Sequence, residues 1–366
     1  MKPWSTQFDR GFGSADNGTW ATSGAAEGLG GPSTDRPEQR PAAPPIGSAP
    51  LGRLALVGCG AAGRALARWI VAAGLPCPLL WNRSAVIARD LASELGGEWD
   101  ADLAAVLGRC DQLLIAVSDG ALPEFAARAA PLVGPRLKVA CHLAGALPPM
   151  VLAPLARAGV AVGLLHPLAA LVRTPAMPRG NPGAGREGEL AQVLESLAGE
   201  RPWQESARLA FGVRGDPRAR AFARQLVLEL GAEALLLAED DGAQMRYHAA
   251  AVLVANGLVG LFSAAQSASA GAFQNPADAQ RACLALADSS LRQLVERSPA
   301  EALTGPIQRG ATGLVEQHLN SLASLPQVAS LYRELARTLL GLAAPRLNPQ
   351  SRTALEQLLQ DPQGSA

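Results

Sequence analysis

Between Arg53 and Leu237 the chain alternates short, unbroken apolar runs with stretches of helical spacing. The runs are Leu54–Val57, Cys77–Asn82, Asp111–Val117, Arg136–His142 and Val160–His166. Runs of that length without polar alternation suit strands buried on both faces of a sheet. The stretches between them include Arg64 to about Gly74, Ser84–Leu95 and Leu147–Ala158, where apolar positions recur at three- and four-residue intervals. Leu209–Val213, Pro217–Leu230 and Ala234–Leu237 then repeat strand, helix, strand. Alternation of this kind predicts an α/β fold with a doubly wound parallel sheet. After Glu239 the strand pattern stops. Gln244–Gln266, Pro276–Glu296, Gly313–Leu322, Pro326–Leu342 and Ser351–Gln360 all have helical spacing. The chain therefore reads as an α/β domain over 51–238 and an all-helical domain over 239–366.

Two segments stand outside this rhythm. Residues 1–50 hold eight glycines and seven prolines and have no apolar periodicity, the composition of a disordered tail. They lack a basic start followed by an apolar run, so they do not read as a secretory signal. Arg173–Gln204 reads as a long solvated loop, a length often used for lids. The apolar run Ala249–Phe262 is too short to span a bilayer and contains Asn256, so it reads as the central helix of the second domain.

Composition narrows the function. The 32 basic and 32 acidic residues balance, which gives no electrostatic reason to expect nucleic acid or a membrane surface as partner. The five cysteines are scattered and never spaced as C-x-x-C, which fits a reducing cytoplasm better than a disulfide framework or a zinc site. The four histidines show no metal-ligand spacing. Lys2 and Lys138 are the only lysines, so no lysine in the C-terminal half can do chemistry.

The first strand carries the strongest motif. Leu54–Val57 runs into Gly58-Cys59-Gly60-Ala61-Ala62-Gly63, a G-x-G-x-x-G loop that opens at once into a helix. In that context Gly58 permits the tight turn, Gly60 leaves room for a pyrophosphate, and Gly63 allows close helix–strand packing. The helix N-terminus adds unpaired N–H groups and a partial positive charge. The motif predicts a Rossmann dinucleotide-binding domain. At the end of the second strand, Asn82-Arg83-Ser84 stands where NAD-binding folds usually have an acidic residue. An arginine and a hydroxyl suit the 2′-phosphate of NADP.

Ligands on such sheets gather beyond the carboxyl ends of the strands. Val117 and Ser118, after the third strand, are expected beside the nicotinamide ribose, and Asp119 reads equally well as a helix N-cap. His142 and His166 end two further strands. On the long helix, Tyr247, His248 and Asn256 interrupt an apolar sequence, and buried polar groups need a partner or a purpose. Without lysine, proton transfer falls to His248 or His166, either of which titrates near neutrality unless its surroundings shift it.

These residues resemble a family of Rossmann-like oxidoreductases whose helical C-terminal part is a domain of unknown function. The resemblance rests on the glycine loop, His142-Leu143-Ala144-Gly145-Ala146-Leu147, Leu165-His166-Pro167-Leu168, Tyr247-His248 with Asn256, and Leu303–Gly310. More distantly the chain is similar to 6-phosphogluconate, hydroxyisobutyrate, ketopantoate and pyrroline-carboxylate reductases and to deazaflavin-dependent NADP reductases. The resemblance implies a helical domain like that of 6-phosphogluconate dehydrogenase, which closes the cleft and forms a homodimer. It implies an NADP-dependent oxidoreductase acting on a small polar substrate. His248, His166 and Asn256 would be catalytic, and Thr304 and Arg309 would bind the substrate. Two departures weaken it. Leu143-Ala144 replaces a Thr-Ser pair, and Ala169 replaces a polar residue, which removes hydrogen-bonding groups expected near the cofactor. Their loss favours the alternative of a non-catalytic NADP(H)-binding sensor or assembly protein.

Overall fold

The apolar runs do assemble into one sheet, with one reversal of direction. The computed structural model describes residues 51–169 and 209–360. The expectations for the 1–50 tail and the whole 173–204 loop lie outside the described residues. Strands β1 (Leu54–Val57), β2 (Leu79–Trp81), β3 (Gln112–Ile115), β4 (Val139–His142), β5 (Ala161–Pro167), β6 (Ala210–Gly215) and β7 (Glu233–Leu236) lie in the order β2-β1-β3-β4-β5-β6-β7. β5 and β6 pair antiparallel, and every other neighbouring pair is parallel. The sheet is therefore mixed, a correction to the all-parallel expectation. An apolar run buried on both faces looks the same in either direction, so the sequence pattern does not encode this reversal.

Strand alternation splits the core into two layers. Leu54, Leu56, Leu80, Leu114, Cys141 and Leu165 face helices α1 (Ala61–Ala72), α2 (Ala85–Leu95) and α6 (Pro217–Glu229). Ala55, Val57, Leu79, Leu113, Ile115 and Ala140 face α3 (Leu103–Arg109), α4 (Leu122–Ala129) and α5 (Ala153–Arg157). Such side chains bury about 1.5–3 kcal/mol each, which fixes the register and so the positions of the strand ends. The expected Leu147–Ala158 helix is a 3₁₀ turn over Pro149–Leu152 followed by α5, because Pro149 and Pro154 interrupt the pattern.

The rest is helical, as expected: α7 (Asp241–Ala268), α8 (Pro276–Glu296), α9 (Pro299–Ala302), α10 (Thr312–Ser321), α11 (Pro326–Ala343) and α12 (Pro349–Leu358). Asp240 caps α7 by accepting a hydrogen bond from the Ala243 amide, and Asn275 caps α8 in the same way from Ala277. A third core of Ile307, Val315, Leu319, Ala336, Leu340 and Leu355 joins α10, α11 and α12. The long helix differs from its expected role. Its most apolar 18-residue window has a mean hydropathy of 1.6 and is 0% buried, so it is no core helix within one chain. By length and composition alone that helix could cross a membrane.

Candidate functional site

The carboxyl edge of β1 is built around its glycines. Gly58 has φ +92°, and a Cβ there would sit 2.6 Å from the Ala116 carbonyl oxygen. The loop therefore seats directly on Ala116-Val117 at the end of β3. A Cβ on Gly63 would lie 1.8 Å from the Gly58 carbonyl oxygen, so α1 can approach the strand only with glycine there. Gly60 is different. Its φ is −74°, open to any residue, and a Cβ there would meet nothing within 4 Å. Packing among the described residues does not require this glycine, and open space lies in front of its backbone. No side chain caps the α1 N-terminus, and its first turn holds no acidic residue.

The 82–84 turn is joined to this loop. The Asn82 Oδ1 accepts from the Cys59 amide at 3.1 Å, and its Nδ2 donates to the Ser84 carbonyl at 3.2 Å. Asn82 is thus a tie within the loop, its amide already used at both ends. Arg83 and Ser84 are exposed, and Ser84 stands at the N-cap of α2 without capping it. Neither side chain makes a hydrogen bond or ion pair among the described residues. Ser118 is exposed at the end of β3, with Val117 half-buried beside it.

A second cluster forms where β4, β5 and α7 meet. The His166 Nδ1 lies 2.9 Å from the Tyr247 hydroxyl, with the rings edge-on. The His248 ring is 5.8 Å from that of His166. Gly145 makes room for this arrangement, since a Cβ there would sit 2.6 Å from the His166 ring. Burial, with the nearby His248 and against the pull of Asp119, brings the His166 pKa down to about 4. His166 is therefore neutral at pH 7, a correction to the expectation that it titrates near neutrality. His142 is fully buried, and neither ring nitrogen finds a hydrogen-bond partner of good geometry. Burial lowers its pKa to about 4 as well, with the Pro148 backbone opposing and His166 adding to the shift. Burial likewise pushes the Tyr247 hydroxyl up to about 12.

Two residues that the sequence reading passed over lock this cluster to the sheet. Arg214, only 6% exposed, donates from Nη1 to Gln244 Oε1 at 2.6 Å. It also bonds the Glu239 carbonyl and pairs with Asp241 at 2.7 Å. Gln244, 2% exposed, donates from Nε2 to the carbonyls of Leu147 at 2.6 Å and Gly145 at 3.1 Å. The first turn of α7 is thereby fastened to the loop after β4. A signal was present in the sequence, because Arg214 is a charge inside an apolar strand.

The remaining expected site residues stand apart in the single chain. Asn256 is exposed, eight residues and about 12 Å further along α7 than His248. Thr304 and Arg309 are exposed in the turn anchored by buried Ile307 against the C-terminal helices. None of the three contacts His166 through the hydrogen bonds or ring contacts of the cluster. Leu143 and Ala144 are buried in the two sheet cores, at 6% and 8% exposure, and do not line the cleft. Their divergence from a Thr-Ser pair is accommodated by core packing, which continues the alternation of β4 for two more residues. Ala169 is exposed.

Residues 209–339 match the family described as a domain of unknown function, DUF2520. The match begins just before β6, so it takes in the last two strands together with the helices. No curated protein matches the sequence. Among solved structures, the chain is similar to a Bacteroides fragilis protein with a provisional NADP oxidoreductase designation. The two share 20% identity and a TM-score of 0.58, over 80% of this chain and 98% of that one. A reductive aminase from Aspergillus terreus, solved with NADPH and ethyl levulinate, matches at 14% identity and a TM-score of 0.53, over 84% and 99% of the two chains. A pyrroline-5-carboxylate reductase from Coxiella burnetii matches at 14% and 0.50, over 85% and 100%. At these identities the likeness is one of fold. The fold is that of a Rossmann sheet followed by helices, and residues 209–339 match the domain of unknown function.

Proposed function

We propose that the chain is an NADP-dependent oxidoreductase that reduces a carbonyl or imine carbon of a small polar substrate. Gly60 is the observation that carries this reading. Nothing among the described residues requires a glycine there, whereas a pyrophosphate drawn to the uncapped α1 N-terminus would. Arg83 and the Ser84 hydroxyl would hold the 2′-phosphate, kept in place by the Asn82 tie. Val117 and Ser118 would border the nicotinamide ribose. The bound nicotinamide supplies the hydride. The similarity in fold to a reductive aminase solved with NADPH supports this choice of cofactor.

His166, His248 and Tyr247 would form the substrate-facing wall. Tyr247 fixes the orientation of His166 through its 2.9 Å contact. His248, whose ring on α7 lies 5.8 Å from that of His166, would exchange a proton with the substrate oxygen or nitrogen. Incubation with NADPH carrying deuterium at C4 and a panel of small ketones and cyclic imines tests the proposal. Deuterium should appear at the reduced carbon, and His248→Ala should lower kcat by about 10²–10⁴-fold with NADPH affinity retained. NADPH binding with no transfer to any class of acceptor would favour the sensor reading instead.

A further inference from the structure

Asp119 is a carboxylate that the described fold leaves unused. It opens the 3₁₀ turn over Asp119–Ala121 that follows β3. A helix cap is one role its sequence position allows, and the structure gives it none. Ser118 stands at the N-cap of that turn and Ala121 at the N-cap of α4. Asp119 itself makes no hydrogen bond or ion pair among the described residues. Its side chain is exposed at the carboxyl edge of the sheet, one residue beyond Ser118.

Strand register sets what it faces. β3, β4 and β5 run parallel, with Ile115, His142 and Leu164 in one row. Asp119 lies four residues past that row after β3, and His166 lies two residues past it on β5. Both stand beyond the same edge, on strands two spacings or roughly 10 Å apart. The field of the Asp119 carboxylate reaches the His166 ring, where it favours positive charge against the effects of burial and of His248. Arg214 does not offset that carboxylate. It reaches the cluster through Gln244 and is already paired with Asp241 at 2.7 Å and Glu239 at 3.6 Å. Arg309 stands exposed and apart from the cluster in the single chain.

We propose that Asp119 selects the charge of the substrate, and that the compound reduced here carries a positive charge on nitrogen, close to the carbon that takes the hydride. The inference rests on the reading of His166, Tyr247 and His248 as the substrate-facing wall. A charged ligand entering among these half-buried rings loses part of its hydration. For a cation, one unpaired carboxylate across the cleft offsets that cost, whereas an anion meets repulsion as well. A protonated amine or an iminium fits this description, and a keto acid does not. Asp119 acts through its field and gives up no proton, so it is a specificity residue, and proton exchange stays with His248.

Three probes built on one ring separate the charge classes: cyclopentylammonium, cyclopentanol and cyclopentanecarboxylate. Their binding to the full-length protein is followed by saturation-transfer NMR at pH 7 with excess NADPH present, for the wild type, Asp119→Asn and Asp119→Glu. The position is exposed, so both variants should keep the wild-type circular dichroism. The wild type should bind the ammonium about 10-fold tighter than the alcohol, with the carboxylate weakest. Asp119→Asn should erase the ranking, and Asp119→Glu should keep it. A wild type that binds no probe, binds all three alike or prefers the carboxylate overturns the inference. So does a ranking that survives in Asp119→Asn. Charge selection without deuterium transfer to any acceptor would leave this inference standing while the oxidoreductase reading fell. Transfer to neutral and anionic acceptors alone would do the reverse.

Discussion

Replacing Gln244 by leucine removes three hydrogen bonds at once while nearly preserving volume. Leucine cannot donate to the Gly145 and Leu147 carbonyls, now met at 3.1 and 2.6 Å, or accept from Arg214, now met at 2.6 Å. Arg214 retains the Glu239 carbonyl and Asp241, so its loss is partly compensated. The two carbonyls have no such reserve in a site where Gln244 is 2% exposed. Each buried polar group left unpaired costs about 1–3 kcal/mol, which gives a destabilisation of about 2–5 kcal/mol for Gln244→Leu. Urea unfolding followed by circular dichroism measures this as a lower midpoint at unchanged slope. Amides of the 143–147 loop should also exchange with deuterium faster than in the wild type. Arg246→Leu serves as control, because Arg246 is 77% exposed and its 3.7 Å approach to Asp240 is a surface pair. If Gln244→Leu cost no more than this control, the reasoning that the lock fastens α7 to the sheet would be wrong.

Three further outcomes follow from the geometry. Gly60→Val should leave stability within about 0.5 kcal/mol of wild type and weaken NADPH binding at least 10-fold, whereas Gly63→Ala should fail thermally; equal thermal shifts would contradict the roles assigned to the two glycines. His142 has a folded pKa near 4, below its value in the unfolded chain, so its contribution is full above about pH 6.5 and is lost as pH falls toward 4. At pH 5 the loss is about 2 kcal/mol, and His142→Phe should lessen, by about half, the decline in melting temperature between pH 7 and 5, the equally shifted His166 keeping its own share. Gly145→Ala drives a methyl into the His166 ring and should cost about 1–3 kcal/mol; an unaffected melting temperature would show that the ring has room to move.

Much of the sheet half was legible in the sequence. Its apolar runs are strands because both faces of the sheet are buried, and the glycine loop declares itself by standing between a strand and a helix. What a Cβ would meet at Gly58 and Gly63 accords with a tight turn and close helix–strand packing, while a Cβ at Gly60 would meet nothing among the described residues. The site at α7 was less legible. His166 and Tyr247 lie 81 residues apart, and Gln244 and Gly145 lie 99 apart, so no local pattern announces either contact. The shift at His166 depends on burial and on His248, both products of the folded chain. The apolar composition of α7 reads as core, because a sequence does not say whether a helix is covered by its own chain. Leu143 and Ala144 looked like losses at a ligand boundary, and both are buried, one in each of the two sheet cores.

The central claim is that the loop at Gly58–Gly63 and the turn at Arg83-Ser84 together bind NADPH. Isothermal titration of NADPH and NADH into the wild type and into Arg83→Ala tests it most directly. The account predicts one site per chain and a preference for NADPH of about 10- to 100-fold, at roughly 1.4 kcal/mol per decade, that disappears in Arg83→Ala while NADH binding is unchanged. No heat with either nucleotide, or equal affinity of the wild type for both, would contradict it.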